Sequence, residues 1–281
     1  AYYNGLLTND QALNDPFNLN FSERFNFRAS VEPIKALRID LTGNYSKSKN
    51  ETEFFTANED GSLPPPEDRG RVSSGNFSMS FLSWGTAFES MSDTLIDESG
   101  AFNYLKFEAR QIISNRLADE YQNKTGEFLP DSAGYFDGYG PTSQDVLVPA
   151  FLASYGYQTV ESVPLKAIYG ILNVMPNWKV TYDGLSNIEA LQEYVNSISF
   201  SHSYRSTYSV GSYVSNPYYV EEIDGVPIAY DLQGNFTVDK SVNSVTINEQ
   251  FSPLINMNMD WENSLTTRFE IKKSRTVGLN M

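Results

Sequence analysis

Between Ser197 and Val214 the side chains separate by parity. Ile198, Phe200, His202, Tyr204, Tyr208, Val210 and Val214 occupy one set of alternate positions, and Ser199, Ser201, Ser203, Arg205, Thr207 and Ser209 the other. A period of two predicts a strand, because successive Cβ atoms point to opposite faces of a pleated backbone. The run is far longer than an ordinary strand of ~5–6 residues. One face is aromatic and β-branched, the other carries hydroxyls and an arginine. Such a strand suits a wall with lipid on one side and a wet interior on the other. A long strand of a soluble sandwich is the alternative.

The same alternation recurs at both ends of the chain. Phe17, Leu19, Phe21, Phe25, Phe27 and Val31 oppose Asn18, Asn20, Ser22, Arg24, Asn26 and Arg28, with Glu23 interrupting the apolar set. A carboxylate there needs an interface, a bulge or a neighbouring element to face. Glu32-Pro33-Ile34 predicts a tight turn into a second strand, where Leu37, Ile39, Leu41 and Tyr45 alternate with Arg38, Asp40, Thr42 and Asn44. Lys47–Arg71 is polar and contains Pro64-Pro65-Pro66, which predicts a long excursion rather than a strand. Phe77, Met79 and Phe81 mark a third strand, and Trp178, Val180 and Tyr182 another. Near the end, Val245, Ile247, Phe251, Ile255, Met257, Met259 and Trp261 oppose Thr246, Asn248, Gln250, Ser252, Asn256, Asn258 and Asp260. After a turn at Glu262-Asn263-Ser264, Leu265, Phe269, Ile271, Val277 and Leu279 complete a second hairpin.

Between these strands the period changes. Ser99 is placed to cap a helix over 101–121 whose stripe runs Phe102, Leu105, Ala109, Ile112, Ile113, Leu117 and Tyr121, ending at Asn123 and Gly126. The passage GYFDGYGPT then leads into a shorter apolar segment, Asp145–Tyr155, disturbed at Pro149. Phe102, Leu105, Ala109 and Ile112 are the expected packing residues of this insertion. Ser186-Asn187-Ile188-Glu189 reads as a capping box for a short helix near 187–194. Pro217–Asn235 is turn-rich, with room for a short hairpin around Ile228–Leu232.

The expected fold is therefore mainly β: a sector of a large transmembrane antiparallel β-barrel with a helical insertion. Residues 17–83 supply barrel strands with a long loop, 84–175 an insertion at the lumen or rim, and 176–281 the remaining strands. Six or seven strands closed on themselves would leave an interior just filled by side chains, with no room for the insertion, so a larger barrel is implied. The lipid-facing candidates are Phe200, Tyr204, Tyr208, Val210, Ile255, Met257, Met259 and Trp261. If each strand named is one crossing, the tight turns at Pro33 and Asn263 fall at opposite ends, so one loop is expected to hide a further crossing.

Composition narrows the alternatives. With 281 residues, a net charge of −15 and 14% aromatics, the acidic chain is a poor partner for nucleic acid, whose phosphates demand basic patches. The mean hydropathy is −0.39, and no apolar run reaches the ~20 residues a membrane helix needs, whereas alternation keeps a barrel's average low. The absence of cysteine rules out a disulfide framework and fixes no compartment. Neither a signal peptide nor a tag is visible and the sequence opens abruptly at Ala1, so a processed chain or a segment of a longer one is expected.

Chemistry has little to stand on. His202 is the only histidine, so a His/Cys zinc site is out of reach and a Ser-His-Asp arrangement would have to use it. Its same-face neighbours on the strand, Phe200 and Tyr204, point to packing instead. Asp137 and the Glu221-Glu222/Asp224 cluster lack the 12-residue spacing of a Ca²⁺ loop and read as solvated loop faces. No enzyme activity, metal or cofactor is expected.

Four blocks carry a more specific signal: the glycine-rich passage followed by QDVLVPAFLASY; PNWKVTYDGLS; SHSYRSTYSVGSYVSN; and EQFSPLINMNMDWENSLTTRFEIKKSRTVGLNM. In this order they resemble the SprA/Sov family of outer-membrane proteins of Bacteroidetes, over roughly Phe17 to Met281. The resemblance implies a translocon of the type IX secretion system, exporting folded cargo with C-terminal signal domains and in some members supporting gliding motility. It also implies partners: outer-membrane lipid, a smaller barrel of the PorV type, a plug protein and the cargo. Family members are several times longer, and the chain stops at Asn280-Met281 without the aromatic strand end usual in outer-membrane proteins, so an internal portion is expected. The alternatives are an outer-membrane small-molecule or nutrient transporter, a soluble β-sandwich binding module, and a lipid-facing hydrolase using His202.

Overall fold

The computed structural model describes residues 15–58, 60, 62, 69–89, 100–221 and 225–281. The alternating runs form strands of unusual length: β1 (Phe17–Ile34), β2 (Leu37–Glu53) and the shorter β3 (Val72–Ser80). The insertion then contributes α1 (Ala101–Tyr104), a π-helical turn at Leu105–Ala109, α2 (Arg110–Thr125), the two-residue strands β4 (Asp131–Ser132) and β5 (Tyr135–Phe136), and α3 (Gln144–Tyr155). The sheet resumes with β6 (Asn177–Tyr182), then α4 (Glu189–Gln192), β7 (Val195–Ser215), β8 (Lys240–Val242), β9 (Ser244–Trp261) and β10 (Thr266–Asn280).

One large antiparallel sheet runs in the order β1-β2-β3-β7-β9-β10, with β6 also pairing β2 and β7. β3 and β6 therefore share one position. Met79 pairs with Tyr45 and Asn177 with Thr42, so the chain leaves the sheet after Ser80 and re-enters it almost where it left. Asn177 Nδ2 donates to Ser80 Oγ at 3.0 Å and its Oδ1 accepts the Ser206 N–H at 2.8 Å, closing the gap between the two halves. The insertion thus interrupts a strand rather than joining two. This corrects the count of crossings: the tight β1–β2 and β9–β10 turns lie at the same end, and no hidden crossing is required. β2 ends and β3 begins at the other end, as β7 ends and β9 begins there, so the longer connections leave the sheet from that end. Among the described residues β1 and β10 each pair on one side only, so the sheet is open at both edges.

Several local expectations shift. The β1–β2 turn is Lys35-Ala36, with Ala36 at φ 68°, while Pro33 sits at an irregularity of the edge strand, where its missing N–H costs no ladder bond. Lys47–Glu53 continues β2, because β1 and β3 offer ladders on both sides and Glu23 stands opposite Lys47. Ser186 caps nothing; its hydroxyl accepts the Ile198 N–H at 2.8 Å and ties the connection to β7. Around Ile228–Leu232 only isolated bridges form, Tyr230 to Phe236 among them. Ser99, Pro64–Pro66, Glu222 and Asp224 lie outside the described residues.

The insertion covers one face of the sheet toward the long-loop end. Tyr45, Phe77, Met79, Tyr208, Val210, Val245 and Ile247 from the sheet meet Ala109, Ile113, Val146, Phe151 and Leu152 from the insertion in one core. Each large apolar side chain so buried contributes about 1.5–3 kcal/mol. A second anchor holds the insertion to the 216–243 connection. The Phe236 ring stacks on Tyr121 at 5.6 Å and meets Tyr139 edge-on, over Gly138, whose absent Cβ leaves the ring its place.

Candidate functional site

Two features of the sheet are not explained by core packing alone. The first is a polar seam where the insertion leaves β3. On β9, Glu249 occupies an apolar-parity position between Ile247 and Phe251, and Arg275 stands directly opposite on β10. Glu249 is 1% exposed. Arg275 Nε donates to Glu249 Oε2 at 2.7 Å, while Nη1 reaches the Thr86 carbonyl at 2.6 Å and Nη2 reaches the Ser83 carbonyl at 3.1 Å and Thr86 Oγ1 at 2.6 Å. Glu249 Oε1 accepts from Ser83 Oγ at 2.7 Å and from the Tyr204 hydroxyl at 2.8 Å. That hydroxyl in turn accepts the Ser83 N–H at 2.9 Å. Both charges are consumed by partners drawn from β7, β9, β10 and the Ser83–Thr86 turn, so the chemistry available is a tether, not acid–base catalysis.

Around the seam lies a row of rings. Trp178 stacks on Tyr204 at 4.4 Å and on Trp84 at 5.1 Å, and Phe251 packs 5.0 Å from Tyr204. His202 sits beside this row. Its Nδ1 lies 2.7 Å from the Leu254 carbonyl and donates to it, filling the space opened where β9 bulges between Phe251 and Ile255.

The second feature is the half of the same face that the insertion leaves bare, toward the tight-turn end. Ala29 and Val31, Leu37, Ile39 and Leu41, Val180 and Tyr182, Phe200, Ile255, Met257, Met259 and Trp261, and Phe269 and Ile271 share this face by register; His202, opposite Val180, is its one imidazole, and among the described residues no Asp, Glu, Lys or Arg side chain interrupts it. From Ile255 to Trp261 the band extends six residues, about 20 Å at ~3.4 Å per residue. Charges resume at its lower border with Lys273, opposite Phe251. The other face of the sheet is lined by Ser199, Ser201, Arg205, Asn256, Asn258 and Arg268.

The structure divides the residues singled out in the sequence. Phe200, Ile255, Met257, Met259 and Trp261 lie in the bare band. Tyr204, Tyr208 and Val210 share their parity but are buried by the chain itself, so they cannot meet lipid. Parity identifies a face, not what covers it. Leu105 and Ala109 are buried in the core and Ile112 is half-buried against it, whereas Phe102 is exposed. The buried stripe is Ala101, Leu105, Ala109, Ile113 and Leu117. A four-residue spacing drifts by ~40° per step on a helix of 3.6 residues per turn, and the wider π turn absorbs part of that drift. Glu249 and Arg275 went unnoticed in the sequence reading. Their signal was present: opposite charges at apolar-parity positions of one hairpin.

Among the described residues no three His, Asp or Glu side chains converge as metal ligands, and Asp137 is engaged by the Tyr230 hydroxyl at 3.2 Å. Among the described residues no helix is long and apolar enough to cross a membrane, which leaves crossing by strands untouched. In comparisons with known proteins, no family model matches the chain and no curated protein matches it significantly.

Proposed function

We propose that this chain is a sector of the wall of a large outer-membrane β-barrel that conducts folded proteins, the role implied by its resemblance to the SprA/Sov translocons of type IX secretion. The observation that carries the reading is an open sheet of strands up to 21 residues long with an uncharged apolar band on one face and a polar surface on the other. An 18-residue edge strand such as β1, bearing exposed Phe17, Phe21 and Phe25, is a template for unwanted pairing unless neighbouring strands continue the sheet. The band's ~20 Å along the strands is close to the ~25 Å apolar belt of outer-membrane barrels, and tight turns at one end with long connections at the other match their periplasmic and external ends. The hydroxyl- and asparagine-rich face then lines the conduit. The insertion, which covers the apolar face, therefore belongs to the outer rim and not to the lumen. Secreted cargo passes the polar face, while a smaller PorV-type barrel and a plug protein complete the assembly.

The test is made in cells whose gene carries Met257→Arg or Asn258→Arg. An arginine in the middle of the lipid-facing band costs ~2–4 kcal/mol, so Met257→Arg lowers outer-membrane abundance and, with it, release of a reporter bearing a type IX C-terminal signal domain. Asn258→Arg leaves abundance unchanged. Equal abundance of the two variants would refute the lipid-facing assignment, and normal reporter release after disruption of the gene would refute the conduit.

A further inference from the structure

We infer that the root of the insertion is a lipid-contacting foot: Trp84, Phe88 and Phe102 enter the headgroup boundary of the bilayer and hold the insertion against its outer surface. The inference rests on the wall reading above and adds a surface that reading does not require. Trp84, Phe88 and Phe102 are 42%, 52% and 53% exposed, although each sits next to a well-packed element. Trp84 stacks on Trp178 and meets Phe251 edge-on at 5.9 Å, and Phe88 lies 5.3 Å from Phe251, so both stand at the lower border of the bare band. Glu89 accepts the Ala101 N–H at 3.1 Å, which brings the start of α1, and Phe102 with it, to the same level.

What covers these rings is indicated by what surrounds them. Immediately toward the tight-turn end the face carries no charge, and at their own level Lys273 places its amine 4.4 Å from the centre of the Phe88 ring. An aromatic row with a cation beside it, next to an uncharged band, suits the headgroup layer: the rings sit where the acyl region gives way to water, and a lysine reaches lipid phosphate. The opposite border also carries aromatic side chains, Trp261, whose Nε1–H is held by Thr267 Oγ1 at 3.0 Å, and exposed Tyr194. Water alone would leave Trp84 and Phe88 solvated on either side of Phe251, and Phe102 solvated as well. A protein partner would have to match a surface continuous with the band that lipid already fills.

The chain has no cysteine, so single substitutions report on one position each. Phe88→Cys, Phe102→Cys, Met257→Cys and Leu172→Cys, all at sites open enough to accept a label, carry an environment-sensitive fluorophore in the protein reconstituted into vesicles of phosphatidylethanolamine and phosphatidylglycerol. Some of the lipid is brominated either near the headgroup or at mid-chain. At Met257→Cys, fluorescence is lost most to mid-chain bromine. At Phe88→Cys and Phe102→Cys it is lost to shallow bromine, and at Leu172→Cys, on the exposed surface of the insertion, to neither. Quenching at Met257→Cys with none at Phe88→Cys and Phe102→Cys overturns the foot and leaves the wall intact; no quenching at Met257→Cys overturns the wall reading and the foot together.

Discussion

Replacing Arg275 with methionine should free the root of the insertion from the sheet. Glu249, 1% exposed, would lose the guanidinium that faces it at 2.7 Å, and the Ser83 and Thr86 carbonyls would lose their donors at the same time. Ser83 Oγ and the Tyr204 hydroxyl would still donate to Glu249, so the carboxylate would keep two hydrogen bonds but no countercharge. An uncompensated buried charge costs about 3–5 kcal/mol. At ~1.4 kcal/mol per tenfold, that corresponds to a loss of roughly 10²- to 10⁴-fold in hydrogen-exchange protection wherever exchange proceeds by opening of the seam. Amides from Phe81 to Thr86 and in α2 from Ile113 to Leu117 are the reporters. The double replacement Glu249→Leu/Arg275→Met removes both charges and should restore most of the protection, because an apolar pair of similar volume substitutes for a buried ion pair at little cost. The cycle built with Glu249→Leu alone isolates the coupling between the two side chains. Unchanged exchange in Arg275→Met, or a double variant no better protected than the single one, would refute the tether.

Three further outcomes follow from the insertion. Burial, helped by the charges of Asp239 and Glu120, raises the Asp145 carboxyl from 3.8 to about 6. Its stabilising protonation is complete below pH ~4 and is lost as the pH rises to ~6, so Asp145→Asn should flatten that slope and stabilise the insertion at pH 7 by on the order of 2 kcal/mol, read by thermal melts across pH 4–8; parallel curves for the two proteins would refute the assignment. Ile113→Asp should abolish protection of α2, since Ile113 is fully buried, while Ile112→Asp at its half-buried neighbour costs markedly less; equal effects would restore the stripe read from the sequence. Phe236→Ala removes the ring that pins Gly138 and Tyr121 and should cost about 3–5 kcal/mol, seen as faster limited proteolysis between Gly126 and Pro141.

Much of the molecule was legible along the chain. Parity placed nearly all of the long strands' named residues on their correct face, because successive side chains of a pleated backbone alternate; Val214 is the exception, since a bulge between Val210 and Tyr213 turns it outward and buries Tyr213 in its place. The change of period located the insertion, and Gly126, at φ 77°, ends α2 as its position suggested. The sequence by itself thus determined strand faces, helix existence and the composition of each surface, all of which depend on neighbours a few residues away. Three things were decided only by the tertiary structure. β3 and β6 became halves of one strand because β2 and β7 supply a single slot between them, and that pairing spans more than a hundred residues. Tyr204, Tyr208 and Val210 left the bare band because the insertion folds back over them, whereas Met257 and Phe269 remain uncovered. Glu249 and Arg275 became a tether because register across a bulged hairpin set them face to face beneath Ser83; each alone reads as a charge misplaced on an apolar face, and only the partner, brought in through space, makes its burial tolerable.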